Sequence, residues 1–298
     1  MPHVLVAANP IAAFGRRASA GEQVIAALQA AGAEAELLVA PSAADLPRLL
    51  AAAVRRSRPE LLAVVGGDGM VHAGIQVASA AGVPLGIVPT GTGNDLARGL
   101  GIPLGDPGAA GRILLSGADR RIDLLRVRTA DGAEMLVAGA VSAGFDALVS
   151  ERANGMRRPR GASRYTLAML RELVGLRPIS YTLTLDGAVR REPGVLIAVA
   201  NNSSIGGGMR IAPDADLADG VADILFVRPL GRLRFAALFP RVFRGRHVGL
   251  RPVRMDRAKV VRIEAGNAVV AYGDGERLGP LPVDIEVLPA AILVRVPA

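Results

Sequence analysis

The stretch Val64–Gly74, VVGGDGMVHAG, decides how this chain is read. Leu61–Val65 is an uninterrupted apolar run, the mark of a strand buried on both faces, and it ends in Gly66-Gly67-Asp68-Gly69. From Met70 to Ala81 the spacing predicts a helix. Strand, glycine-rich turn and helix together aim backbone N–H groups and a helix N-terminus at an anion. An aspartate inside such a cradle would repel a phosphate unless a divalent cation bridged them, so Asp68 points to Mg²⁺ and nucleotide together. A plain tight turn with Asp68 capping the helix accounts for the same residues.

Working outward, the first third alternates apolar runs with helical patterns. These are VLVAANP from Val4, a helix near Ser19–Ala31, AEAELLVA, a helix ending near Arg56, and the strand Leu85–Val88 after the helix at 70–81. Such alternation predicts a parallel sheet covered on both faces, whose ligands lie beyond the carboxyl ends of the strands. A second glycine-rich segment, GIVPTGTGNDLARGLGIP (Gly86–Pro103), follows the next strand. Thr90, Gly91, Thr92, Gly93 and Asn94 offer hydroxyls and open amides there, and Asp95 can cap the short helix after them. From about Ile122 strand-like pieces separated by turn signals predict a second, mostly antiparallel domain with helices near Tyr165–Leu176 and Leu230–Phe243. The expected division is 1–122, 123–288 and a terminal strand at 289–298 that could return to the first domain.

Composition narrows the chemistry. The 298 residues include no cysteine, which removes disulfides, thiolate nucleophiles and thiolate metal sites. Lys259 is the only lysine and no GK[ST] occurs, so the chain is neither a P-loop NTPase nor a protein kinase with a strand lysine. Lys+Arg 35 against Asp+Glu 27 gives +8, which suits a polyanionic partner. With 3% aromatics and no tryptophan there is little for nucleic-acid bases to stack on, and nucleic acid is not an expected partner. No apolar run reaches the length of a membrane span, and the N-terminus lacks the basic region of a leader, so a cytoplasmic protein is expected.

Taken in order, VVGGDGM, PTGTGNDLAR, NNSSIGGGMRIAPDADLADGVADI and GDGE before VDIEVLP resemble the diacylglycerol kinase catalytic family, the bacterial soluble lipid kinases related to sphingosine and ceramide kinases. GGDG by itself would also fit phosphofructokinases and NAD kinases. The resemblance spans essentially the whole chain. It implies an α/β fold: an N-terminal Rossmann-like domain of the phosphofructokinase and NAD kinase type, and a C-terminal antiparallel β-sandwich-like domain. ATP and Mg²⁺ are the implied cofactors, with the γ-phosphate passing to a lipid hydroxyl, foremost that of diacylglycerol. A kinase of the same superfamily acting on a soluble substrate, and a non-catalytic module binding nucleotide and membrane, are the alternatives.

Residue by residue, the resemblance sets Asn9 beside the nucleotide. It makes Gly66, Gly67, Asp68, Gly69, Met70, Val71 and His72 the phosphate loop, joined by Thr90, Gly91, Thr92 and Asn94, and counts Asp68 among the catalytic residues. Met70 and Ala40 stand where relatives carry threonine. The acidic stretch APDADLADGVADI suits a hard cation by its oxygen content, and equally an acidic surface turn. By resemblance it is a Mg²⁺ site with the Asp219 carboxylate and the carbonyls of Asp216 and Val221. Asp274 and Glu276, two apart in YGDGERLG, would share a face if the segment were extended, which raises the pKa of one of them; a hairpin turn with solvated charges is the other reading. The family's DGE motif makes Glu276 the proton acceptor and leaves Asp274 to orient it or to bind Mg²⁺. Leu233–Arg257 interleaves Phe235, Phe239 and Phe243 with arginines, fitting transient contact with an anionic membrane at the inner face, or a core face backed by solvated charge. Homodimer formation is left open.

Overall fold

A computed structural model describes residues 1–8, 18–156, 158, 162–266 and 269–298. The chain forms two compact units, Met1–Asp123 with Pro289–Ala298, and Leu124–Leu288.

The first unit is built on β1 (His3–Ala8), α1 (Ala18–Ala30), β2 (Glu34–Val39), α2 (Leu46–Ser57), β3 (Leu61–Gly66), α3 (Asp68–Ala81) and β4 (Leu85–Pro89). The strands pair in parallel in the order β2-β1-β3-β4. All residues of β3 and β4 are buried, as continuous apolar runs flanked by helices require. α4 (Asp95–Gly99) and α5 (Pro107–Ser116) complete the unit. The last stretch of the chain lies beside β4, with Val294 opposite Leu85. It is anchored by Asp123, whose Oδ1 accepts from the Ala290 amide at 2.8 Å.

The chain passes between the units in β5 (Ala118–Thr129) and again in the long terminal strand. The second unit continues with β6 (Glu134–Val137), β7 (Ala140–Gly144), α6 (Phe145–Gly155), α7 (Ala162–Val174), β8 (Ile179–Leu185), β9 (Ala188–Gly194) and β10 (Leu196–Ala200). Then come β11 (Ala222–Val227), α8 (Arg232–Leu238), a 3-10 turn at Phe239–Arg244, β12 (Val253–Ala258), β13 (Val260–Glu264), β14 (Val270–Gly273), β15 (Glu276–Pro280) and β16 (Val283–Val296). One antiparallel sheet runs β12-β11-β10-β7-β14-β15; a second layer pairs β16 with β13, β13 with β8 and β8 with β9. The inward side chains of both layers, among them Tyr181, Phe226, Val199, Val261 and Ile285, make one core. Tyr181 meets Phe226 edge-on with ring centres 6.0 Å apart. The α/β plus antiparallel-sandwich fold class read from the sequence is the one observed.

α5 and α6 have no counterpart among the expected helices, and two further elements differ in their bounds. α3 begins at Asp68 rather than Met70, because Gly67 takes the N-cap position. The helix expected through Phe243 ends at Leu238, where Pro240 withholds an N–H and the chain tightens into the 3-10 turn.

Candidate active site

In the first unit the two glycine-rich loops are locked together. The Asp68 carboxylate accepts hydrogen bonds from the amides of Asn94, at 2.9 Å to Oδ2, and Asp95, at 2.8 Å to Oδ1. Those amides open α4, so Asp68, in the first turn of its own helix, caps a different one 26 residues on. Thr90 donates its amide to the Gly66 carbonyl at 2.9 Å. Asn94, at φ 54°, closes the second loop on itself: its Oδ1 accepts from the Gly91 amide at 3.0 Å and its Nδ2 donates to the Gly91 carbonyl at 2.9 Å. Contact between the loops is backbone on backbone, since a Cβ on Gly67 would lie 3.1 Å from the Gly91 Cα and one on Gly91 would collide with Gly67.

This geometry revises one expectation. Asn94 occupies the N-cap position of α4 without a side-chain cap bond of its own, and Asp95 is the first helical residue. The Asp68 carboxylate is stabilised by two amide donors. Gly67 caps α3 without a side chain, and Gly69 is exposed with open space where a Cβ would stand. The amides of Thr90, Gly91, Asn94 and Asp95 are spent within the loops, so the donors that suit a triphosphate here are those of the α3 N-terminus. Met70, Val71 and His72 are buried in α3, Gly66 is buried at the end of β3, and Thr92 is exposed. Asn9 lies outside the described residues.

In the second unit the segment GDGE is a hairpin turn. Asp274 at φ 50° and Gly275 at φ 85° join β14 to β15, so of the two readings the hairpin turn is the one observed. Asp274 is half-buried and tied to the backbone: its carboxylate accepts from the amides of Ala138 and Gly139 at 2.9 Å each and of Ala140 at 3.3 Å. A Cβ on Gly139 would collide with that carboxylate. The other side of the same segment is held by Asn201, whose amide donates to the Gly139 carbonyl at 2.8 Å and whose Nδ2 donates to that of Ala138 at 3.1 Å. Glu151 on α6 steadies the hairpin flank, accepting from the Tyr272 hydroxyl at 2.6 Å and from Arg277 Nε at 3.2 Å. Burial, reinforced by Glu151, pushes the Tyr272 phenol up to about 12. Glu276 follows the turn, exposed and without a hydrogen-bond or ion-pair partner among the described residues. Nearby on the same strand layer, Ser142 donates to Asp146 at 2.7 Å, and burial pushes that carboxyl above the usual range.

Gly139, Glu151 and Asn201 were invisible as site residues, because each acts on the hairpin from a distant position in the chain; Tyr272 lies in the hairpin itself, but its partner Glu151 does not.

The acidic turn holds itself together. Asp216 Oδ1 accepts from the Ala218 amide at 3.1 Å and Asp219 Oδ1 from the Val221 amide at 3.2 Å, while the other Asp219 oxygen pairs with Arg257. Among the described residues no three acidic or histidine side chains converge as a metal cage. A cation using Asp219 with the carbonyls of Asp216 and Val221 would have to draw Asp219 from Arg257. Asp223, buried beside it with an unpartnered Oδ2, has its carboxyl pushed up by desolvation against the pull of Arg257.

Comparison with known proteins accords with both halves. Residues 3–127 match the diacylglycerol kinase catalytic domain, and 139–296 match the YegS C-terminal NAD kinase beta sandwich-like domain. A diacylglycerol kinase of Mycobacterium tuberculosis (strain ATCC 25618 / H37Rv) is 41% identical, over 97% of this chain and 93% of its own. One from Bacillus subtilis (strain 168) is 27% identical over 87% and 85%. The crystal structure of a diacylglycerol kinase from Bacillus anthracis str. Sterne has the same fold, with a TM-score of 0.74 at 20% identity across 99% of this chain and 96% of that one. The chain belongs to the diacylglycerol kinase family of lipid kinases, and it is a kinase enzyme.

Proposed function

We propose that the protein transfers the γ-phosphate of ATP, with Mg²⁺, to the hydroxyl of a lipid, diacylglycerol foremost, giving phosphatidic acid. The observation that carries the nucleotide half is the pair of interlocked loops, in which Asp68 fixes the amides of Asn94 and Asp95 beside the open N-terminus of α3. With the loops fixed in this way, the α3 N-terminus needs no reorganisation to bind a triphosphate. Asp68 is on this reading a positioning residue.

Glu276 supports the transfer half. A lipid hydroxyl is a weak nucleophile, and an unpaired carboxylate at a fixed turn can accept its proton as the oxygen bonds to the γ-phosphorus and the bond from that phosphorus to the ADP oxygen breaks. Asp274 holds the turn that carries Glu276. Bound with the triphosphate, Mg²⁺ supplies charge neutralisation. A second cation at Asp216, Asp219 and Val221 would brace the acidic turn.

The test is ATP consumption by the purified protein with Mg²⁺ over mixed-micelle diacylglycerol, sphingosine and NAD, with the product identified by mass spectrometry. Phosphatidic acid is expected. Phosphorylated NAD in its place would move the activity to a soluble substrate, and ATP binding without turnover on any acceptor would leave a binding module.

A further inference from the structure

The whole positive excess of the chain sits in one segment. Between Ile224 and Met255 there are eight arginines and no aspartate or glutamate, and the remainder of the protein is therefore balanced at 27 basic and 27 acidic residues. Elsewhere arginines are commonly paired, as Arg56 is to Glu36, Arg126 to Glu286 and Arg262 to Asp284. Here only Arg254 is, and Arg232, Arg234, Arg241, Arg244, Arg246 and Arg251 are exposed without an ion pair to any described carboxylate.

This segment is packed against the body of its unit and carries apolar side chains outward. Phe235 is buried against Phe145 with ring centres 4.6 Å apart, Phe239 stacks on Phe235 at 6.1 Å, and Phe243 meets Phe239 at 6.1 Å. The ladder thus starts in the core and ends at Phe243, which is 49% exposed; Leu233 on α8 is 89% exposed and Val248 is 37% exposed. From the other side the segment is bolted to residues 210–213. The Arg210 amide donates to the Val242 carbonyl at 3.1 Å, Gly245 sits against Pro213, and the buried His247 imidazole bonds the Ile211 carbonyl at 3.0 Å.

From this we infer that Gly231–Arg251 is the surface by which the protein docks on an anionic lipid bilayer. Unpaired arginines face lipid phosphates while Leu233 and Phe243 enter the headgroup layer. Charge complementarity selects an anionic partner, and protruding aliphatic and aromatic side chains select a bilayer over a phosphodiester backbone, which offers no apolar layer to receive them. The inference rests on the lipid-kinase reading, because an acceptor dissolved in a membrane must be met there.

Flotation of the full chain with vesicles of phosphatidylcholine, with and without 30% phosphatidylglycerol, tests it in the absence of ATP. Binding to the anionic vesicles alone is expected, with loss in 0.5 M NaCl. Replacing three arginines as Arg241→Gln, Arg244→Gln and Arg246→Gln should weaken partition about 100-fold, at about fivefold per arginine. Leu233→Gln, at a site too exposed to disturb folding, should weaken it several-fold. Unchanged binding in both variants, equal binding to neutral vesicles, or capture by duplex oligonucleotide with no vesicle binding would overturn the assignment. If the kinase reading alone is wrong, wild-type protein binds vesicles in this pattern and forms no phosphorylated lipid.

Discussion

Asp274 spends its carboxylate on the backbone, with three amides of one segment converging on it, and leaves Glu276 two residues on as the group free to take a proton. Removing that acceptor should loosen the turn. Asp274→Ala is expected to cost about 3 kcal/mol, at about 1 kcal/mol for each of three bonds to this half-buried acceptor, read as a lower urea midpoint, with Asp274→Asn in between. Equal midpoints for all three proteins would show that the turn holds without it. In the sequence the Asp-Gly pair was already a hairpin signal, and an extended segment was a reading against it. What could not be read there was the partner, since Ala138–Ala140 lies about 135 residues earlier.

At the scale of elements, the GGDG and GTGND loops work as one unit because Asp68 caps α4 and two glycines let the backbones touch. Gly91→Ala puts a methyl group into Gly67 and should part the loops, lowering ATP affinity at least tenfold in calorimetry while the second unit keeps its fold. Wild-type affinity would show that the loops need not touch. Both loops were legible as phosphate-type turns from their glycines and from the strands before them. The link between them was not, because a side chain capping a helix 26 residues away leaves no local pattern. The acidic turn allows a similar test of whether Asp219 takes a cation. Mg²⁺ should raise the unfolding midpoint, and more so in Arg257→Gln, which frees Asp219. No response to Mg²⁺ in either protein would remove the metal from that turn.

Over the whole molecule, the switch from alternating strand and helix to closely spaced strands made both halves readable, because buried parallel strands and antiparallel sandwiches leave different periods in the chain. Stability also has a pH dependence to be tested. His247 is buried with its Nδ1 lacking an acceptor, and burial holds its pKa below the ordinary value near 6.5. The unfolded chain therefore takes up this proton first, so the stability His247 contributes is complete above about pH 6.5 and is lost as pH falls towards the folded value. His247→Asn should flatten the fall in urea midpoint between pH 7 and pH 5, and an unchanged slope would assign that fall to other groups.

The central claim is that Glu276 accepts the proton of a lipid hydroxyl during phosphoryl transfer, and it is met most directly by comparing wild type with Glu276→Gln. Phosphatidic acid formation from ATP and mixed-micelle diacylglycerol should fall at least 100-fold in the variant, with ATP affinity within twofold of wild type. Turnover near the wild-type rate in a folded Glu276→Gln protein would contradict it.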